Sequence, residues 1–222
     1  MKPIIKKLLF LCLILTNFSS VSAELPPPLR YFTFDEGFTE SMNGYKPEKV
    51  IGNPSFVAGI SGQALQLDGK SALIYDSSVD LNLEQFTLTS WLYFDDKKQS
   101  GSIVGKGDDS YWIFFNFGEI KSGFLDAKYH ECRSGIYLQP QQWYFLSVTY
   151  DGVTLRSYVN DHLDSIKIVS SAPRKVKGAL MIGAEGNTPP NHYFRGIIDE
   201  VRIYNESLST AEIRSLYKLN SE

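Results

Sequence analysis

The chain has 222 residues, with 22 Lys and Arg against 25 Asp and Glu, a formal net charge of −3 and 14% aromatic residues. The cations are scattered and do not interleave with aromatics on any one segment, which argues against a nucleic-acid partner. A chain of this length and apolar content can bury one large core, and all-β sandwiches reach this size as single domains.

Residues 1–23 read as an export leader. Lys2, Lys6 and Lys7 make a positive start, Leu8 to Leu15 an apolar run, and Val21-Ser22-Ala23 a small-residue cleavage site. The run falls short of the roughly 18–20 residues needed to cross a bilayer, and no other segment could span one. Phe10 and Leu11 are too bulky for a lipoprotein signal at Cys12. A secreted or periplasmic product is expected, with no transmembrane segment after cleavage. It carries 19 basic against 25 acidic residues. Cys12 leaves with the leader, so Cys132 has no intramolecular partner. It is expected to be a small buried apolar side chain, with an intermolecular disulfide or reactive thiol as the alternative.

Residues 24–30 form a Pro-rich spacer, because Pro26-Pro27-Pro28 excludes helix and withholds ladder donors. One domain is expected over 31–218. Short strands are predicted at Ala64 to Leu67, Ala72 to Tyr75, Phe86 to Phe94, Tyr111 to Phe117 and Ala179 to Gly183, between frequent Gly and Pro breaks. In Phe86 to Phe94 the positions Thr87, Thr89, Trp91 and Tyr93 alternate with Phe86, Leu88, Ser90, Leu92 and Phe94, the period of a half-buried strand. Trp143 to Tyr150 and Val153 to Val159 are predicted to form a hairpin turning on Asp151-Gly152. Phe194 to Asn205 reads as a strand leading to one helix, where Ser209 and Glu212 have capping-box spacing and Ile213, Leu216 and Tyr217 share a face. That helix is expected to lie across an open end of an all-β, two-sheet antiparallel sandwich.

Phe34-Asp35-Glu36-Gly37, then Gly59, Gly62, Ala64, Leu65, Leu67, Asp68 and Gly69, then Phe86, Thr87 and Trp91, Val148 to Gly152, and Tyr158 to Asn160 span nearly the whole domain. Together with the Phe194 to Asn205 strand they resemble the laminin-G-like, concanavalin A-like lectin and glucanase jelly-roll family. Asp161 departs from the family's usual Gly, a change a turn tolerates. The resemblance implies a jelly roll whose first and last strands lie side by side, and it assigns Trp91 and Trp143 to the core. It also implies a structural calcium held by Asp35 and Asp199 with backbone carbonyls, chemistry that suits a hard cation taking six to eight oxygens. Strict alternation places Asp199 on the face of Val201 and Ile203, toward the core. The alternative is that Asp199 accepts backbone N–H bonds or pairs with a residue such as Arg195.

Fold alone leaves the activity open. The Glu-x-Asp-x-x-Glu pattern of jelly-roll glucanases is absent. Ser134-Gly135-Ile136-Tyr137-Leu138-Gln139 echoes one strand of the alginate lyases, without the strands that accompany it there. No catalytic residue is assigned. Sugar recognition needs aromatic faces with amides and carboxylates, and two stretches supply them. One holds Asp108, Tyr111, Trp112 and Asn116, continuing into Tyr129 and His130; the other is the loop from Glu185 to Tyr193 with Asn191 and His192. A glycan-binding module is the leading expectation. A protein-binding adhesion or envelope component and a polysaccharide lyase or glycoside hydrolase are the alternatives. Which of these would hold the ligand is not written in any motif.

Overall fold

The computed structural model describes residues 25–75, 79–107, 110–186 and 189–221. The leader and Asp108 lie outside the described residues. The strands are β1 (Arg30–Phe32), β2 (Lys49–Ile51), β3 (Ser55–Ala58), β4 (Gln63–Asp68), β5 (Ala72–Tyr75), β6 (Phe86–Tyr93), β7 (Ser100–Lys106) and β8 (Tyr111–Asn116). They continue with β9 (Glu119–Leu125), β10 (Tyr129–Arg133), β11 (Tyr144–Tyr150), β12 (Thr154–Val159), β13 (His162–Ile168), β14 (Leu180–Ile182) and β15 (Arg195–Tyr204), and the chain ends in helix α1 (Thr210–Ser221).

Two antiparallel sheets face each other. The first runs β13-β12-β11-β6-β15-β4-β3, with β1 also paired to β15; the second runs β10-β9-β8-β7-β14-β5-β2. The main core between them takes Phe86, Leu88 and Leu92 from β6, Leu146 and Val148 from β11, and Ile113 and Phe115 from β8. Alternation along these strands therefore sorts the side chains as expected. Phe32 lies opposite Val201, so the first and last strands do pair.

One stripe of the first sheet's outer face is apolar as well. Trp91, Phe145, Tyr158 and Tyr204 point away from the main core and would be wet without a cover. Helix α1 supplies the cover, burying Ile213 and Leu216 on them and stacking Tyr217 on Trp91 with centroids 5.6 Å apart. It thus lies along a sheet face rather than across an open end, because the aromatic stripe is on that face. Its capping box is complete: the Ser209 amide donates to Glu212 Oε2 at 2.7 Å and the Glu212 amide donates to Ser209 Oγ at 3.3 Å. Trp91 is buried in this second cluster, whereas Trp143 is only half-buried at its edge, against Tyr93. The spacer is tied down too: Leu25 packs on the second cluster and Leu29 on the main core.

Two local predictions shift. The β11–β12 hairpin forms, but Tyr150 pairs with Leu155, so the turn's central pair is Gly152-Val153 and only Gly152 has positive φ, +94°. Asp151 fixes this register by accepting the Val153 and Thr154 amides at 2.9 and 2.7 Å. In β15 a bulge falls between Asp199 and Arg202. Ile198, Val201 and Ile203 all enter the main core, so the extra residue turns Asp199 out of line with Val201. Glu200 takes φ +51° there and bonds Arg202 and the Tyr31 hydroxyl, while the Arg202 guanidinium sits 4.1 Å over the Tyr31 ring. Burial pushes the Tyr31 phenol well above its usual range. Cys132 is buried, its Sγ 3.7 Å from the Leu155 carbonyl, and burial raises its thiol pKa.

Candidate functional site

The residues singled out from the sequence divide between the interior and the outer face of the second sheet. On β8, Tyr111 faces inward, fully buried, and its hydroxyl donates to the Leu81 carbonyl at 2.9 Å. His130 is also buried, its ring 5.1 Å from that of Phe124 and its Nε2 3.1 Å from Asp126. Both are structural, since pleating sends them to the core side of their strands. Trp112 points outward but is covered, with Tyr129 edge-on at 5.5 Å. Asn116 donates its amide to Glu119 at 3.3 Å. His192 is 2.6 Å from the Glu185 carboxylate and meets Phe114 edge-on, and Asn191 forms a bridge with Glu185. The hollow bordered by Trp112, Met181 and Glu185 is about 10 Å³, room for one water at most. This face brings Trp112, Tyr129 and His192 to one side, and the hollow beside Trp112 is too small for a sugar ring.

Asp35 and Asp199 flank one loop. Asp199 Oδ2 accepts the Ile60 and Ser61 amides at 3.0 and 3.3 Å, and Oδ1 accepts the Glu200 amide at 2.8 Å. Asp35 Oδ1 accepts the Gln63 amide at 2.8 Å. The loop needs its glycines for this: a Cβ on Gly59 would stand 2.3 Å from Asp199 Oδ2, and one on Gly62 2.0 Å from Asp35 Oδ1. Burial pushes the Asp199 carboxyl up to about 7, against the opposing pull of the Ser61 amide. These groups do not fit the calcium that the resemblance implies. Backbone N–H donors meet both oxygens of Asp199 and Oδ1 of Asp35 where a cation needs oxygens, and among the described residues no three acidic, His or Cys side chains gather to hold a metal.

A cleft with ligand-like chemistry lies at the end of the first sheet where β6 finishes and β15 begins. Asn53 and Ser55 border it on one side, Gln66 and Asp68 from β4 floor it, and Tyr93, Asp95, Asp96 and Gln99 close it opposite Arg195. Its volume is about 240 Å³. Gln99 braces the rim: its Oε1 accepts the Arg195 amide at 2.9 Å and its Nε2 donates to the Asp96 carbonyl at 3.0 Å. The Ser71 hydroxyl, then the Lys70 amide, hold the Asp68 carboxyl below its usual range, so it is a firm carboxylate acceptor. Arg195 and Asp95 are exposed, ready to meet a ligand. Sequence reading missed this groove because its parts come from positions 53, 66, 93, 99 and 195. The one signal was the exposed period-two pair Gln66 and Asp68 within a motif otherwise read as turn and core.

A family model described as the concanavalin A-like lectin/glucanases superfamily matches residues 67–214. No curated protein matches the sequence. Among solved structures, domain 4 of AbnA, a GH43 extracellular arabinanase from Geobacillus stearothermophilus, in complex with arabinotriose, is similar with a TM-score of 0.71 at 18% identity over 87% of this chain and 100% of that one. The binding domain of Paraclostridial Mosquitocidal Protein 1 gives 0.70 at 15% identity, over 85% of this chain and 51% of that one. The binding domain of Botulinum Neurotoxin DC, in complex with SialylT, gives 0.67 at 12% identity over 87% and 51%. The same toxin's binding domain, in complex with rat synaptotagmin II, gives 0.67 at 14% identity over 87% and 52%. The chain spans about half the length of the toxin domains. At such identities the likeness concerns the fold, which carbohydrate-binding and receptor-binding domains share. No helix among the described residues is long and apolar enough to cross a membrane.

Proposed function

The chain belongs to the concanavalin A-like lectin/glucanases superfamily, and from that membership we propose that it is an exported, non-catalytic module that binds a glycan in the groove beside Tyr93. The observation that carries this reading is the groove's composition. An aromatic ring, side-chain amides, carboxylates and one guanidinium converge on about 240 Å³, the mixture that fixes sugar hydroxyls while a ring face meets C–H groups. The Asp68 carboxyl, held below its usual range, offers an ionised acceptor to sugar hydroxyls. The leader sequence supports export, and mass analysis of the mature protein should find Glu24 at its N-terminus.

A glycan array tests the site. Tyr93→Ala and Arg195→Ala should lose at least tenfold in apparent affinity, a loss of about 1.4 kcal/mol, while Trp112→Ala and His192→Ala bind normally. The reverse pattern would move the site to the second sheet. Silence on the array with co-purification of an envelope protein would favour the protein-binding alternative, and release of reducing sugar would make the chain an enzyme.

A further inference from the structure

The hairpin between β8 and β9 is strained in a way its neighbourhood explains. Asn116 pairs with Glu119, leaving Phe117-Gly118 as a two-residue turn with φ values of +51° and +91°. Positive φ at both central positions is the geometry that selects Asn-Gly or Gly-Gly, and a bulky aromatic at the first is disfavoured. The strand predicted to run through Phe117 therefore stops one residue short. Burial does not compensate, because Phe117 is 55% exposed. Tyr137, 65% exposed, lies against the next residue of the turn: a Cβ on Gly118 would stand 3.6 Å from Tyr137 Cδ1. The Leu138 amide donates to the Gly118 carbonyl at 2.7 Å, which fixes the two segments together. Two large rings are thus held in solvent, one of them against its own backbone preference, a pattern that points to use rather than to stability.

Their position adds the second half of the argument. Gln99, which braces the groove through its side chain, accepts the Phe117 amide on its backbone carbonyl at 2.8 Å. One residue thus joins the polar groove to the aromatic tip at the same end of the sandwich. We propose that Phe117 and Tyr137 form a second subsite that continues the groove and stacks on the following residues of an oligosaccharide, so that the module selects chains over single sugars. The inference rests on the glycan reading of the groove and adds ligand length to it. Exposed ring faces suit the C–H faces of sugars, and continuity with a cleft of amides and carboxylates favours a sugar chain over a lipid surface or an apolar peptide.

The test uses an array of one-, three- and six-residue members of the arabino, xylo, cello and galacto series, with the full mature chain. In at least one series the wild type should bind the six-residue member about tenfold more tightly than the three-residue member. Phe117→Asn and Tyr137→Ala should each reduce or abolish that preference while leaving the three-residue affinity within about twofold, since the groove is untouched. Phe117→Asn should also raise the melting temperature by about 2–4 °C, because it creates the Asn-Gly turn the backbone prefers, so its loss of long-chain binding cannot be misfolding. A wild type that binds three and six residues equally, or variants that keep the preference, would overturn the subsite and leave the groove standing. Binding of no array member would bring down the groove and the subsite together.

Discussion

The β11–β12 turn and the β15 bulge both set an aspartate carboxylate against backbone N–H groups, with opposite results for its ionisation. At the turn, burial raises the Asp151 carboxyl, but Arg156 at 2.7 Å and the Thr154 and Val153 amides outweigh it, and the group ends below its usual range. At the bulge, Asp199 also accepts three amides yet has no exposed surface, and its carboxyl is pushed up to about 7. The same hydrogen bonds stabilise a charge that keeps contact with water and a counter-ion. They do not offset desolvation where it keeps neither.

The largest expected effect lies in pH. Asp199 has a folded pKa near 7 against about 3.8 unfolded, so between those values the folded state binds more protons. Stability from this group is present at low pH and is lost as pH rises toward and through 7. At about 1.4 kcal/mol per unit the full span is about 4 kcal/mol, with a loss on the order of a few kcal/mol the quantity to measure. Denaturant melts at pH 5 and pH 8 should show this loss in the wild type and a much flatter difference in Asp199→Asn. Equal slopes for the two proteins would mean that Asp199 ionises normally and that the comparison with Asp151 has no content.

A smaller effect is expected at the turn. Asp151→Ala removes two amide bonds and the Arg156 pair, and should destabilise the fold by about 2 kcal/mol at neutral pH. Its pH signature is opposite in sign. A carboxyl below its usual range contributes above about pH 4 and loses that contribution as pH falls further. Thermal melts from pH 7 to pH 3 check both statements, and a variant as stable as wild type would show that the register is set elsewhere.

How much of this was legible in the sequence follows from how local each cause is. The sandwich and the capping box were readable because alternation, turn residues and a four-residue spacing each act over a few positions, whereas the pairing of β1 with β15 followed only from the family resemblance. The bulge was not, since only the packing of both Ile198 and Val201 into one core demands the extra residue between them. Helix α1 was placed wrongly for a related reason: nothing near residue 210 shows that Trp91, Phe145 and Tyr158 all point outward until the sheet order is known. Tyr111 and His130 suited a sugar site by residue type, and strand parity put them inside. The groove needed five separate segments to converge, so none of its residues announced it alone.

The smallest expected effect separates an amide-capped pair of carboxylates from a cation site. If the N–H groups of Ile60, Ser61 and Gln63 are what satisfies Asp199 and Asp35, calcium and a chelator should leave the melting temperature unchanged within about 1 °C. A metal bound to the folded state alone, present at about a hundred times its dissociation constant, would stabilise by about 2.7 kcal/mol, which in a domain of this size is a rise of several degrees. Such a rise, abolished in Asp199→Asn, would require the Gly59–Gly62 loop to turn carbonyls inward in place of amides. Gly59 and Gly62 let the loop approach this closely, since a Cβ at either would collide with the carboxylate it faces. The loop is therefore built for whichever group the carboxylates meet, and the amides already within 2.8 to 3.3 Å are the ones present.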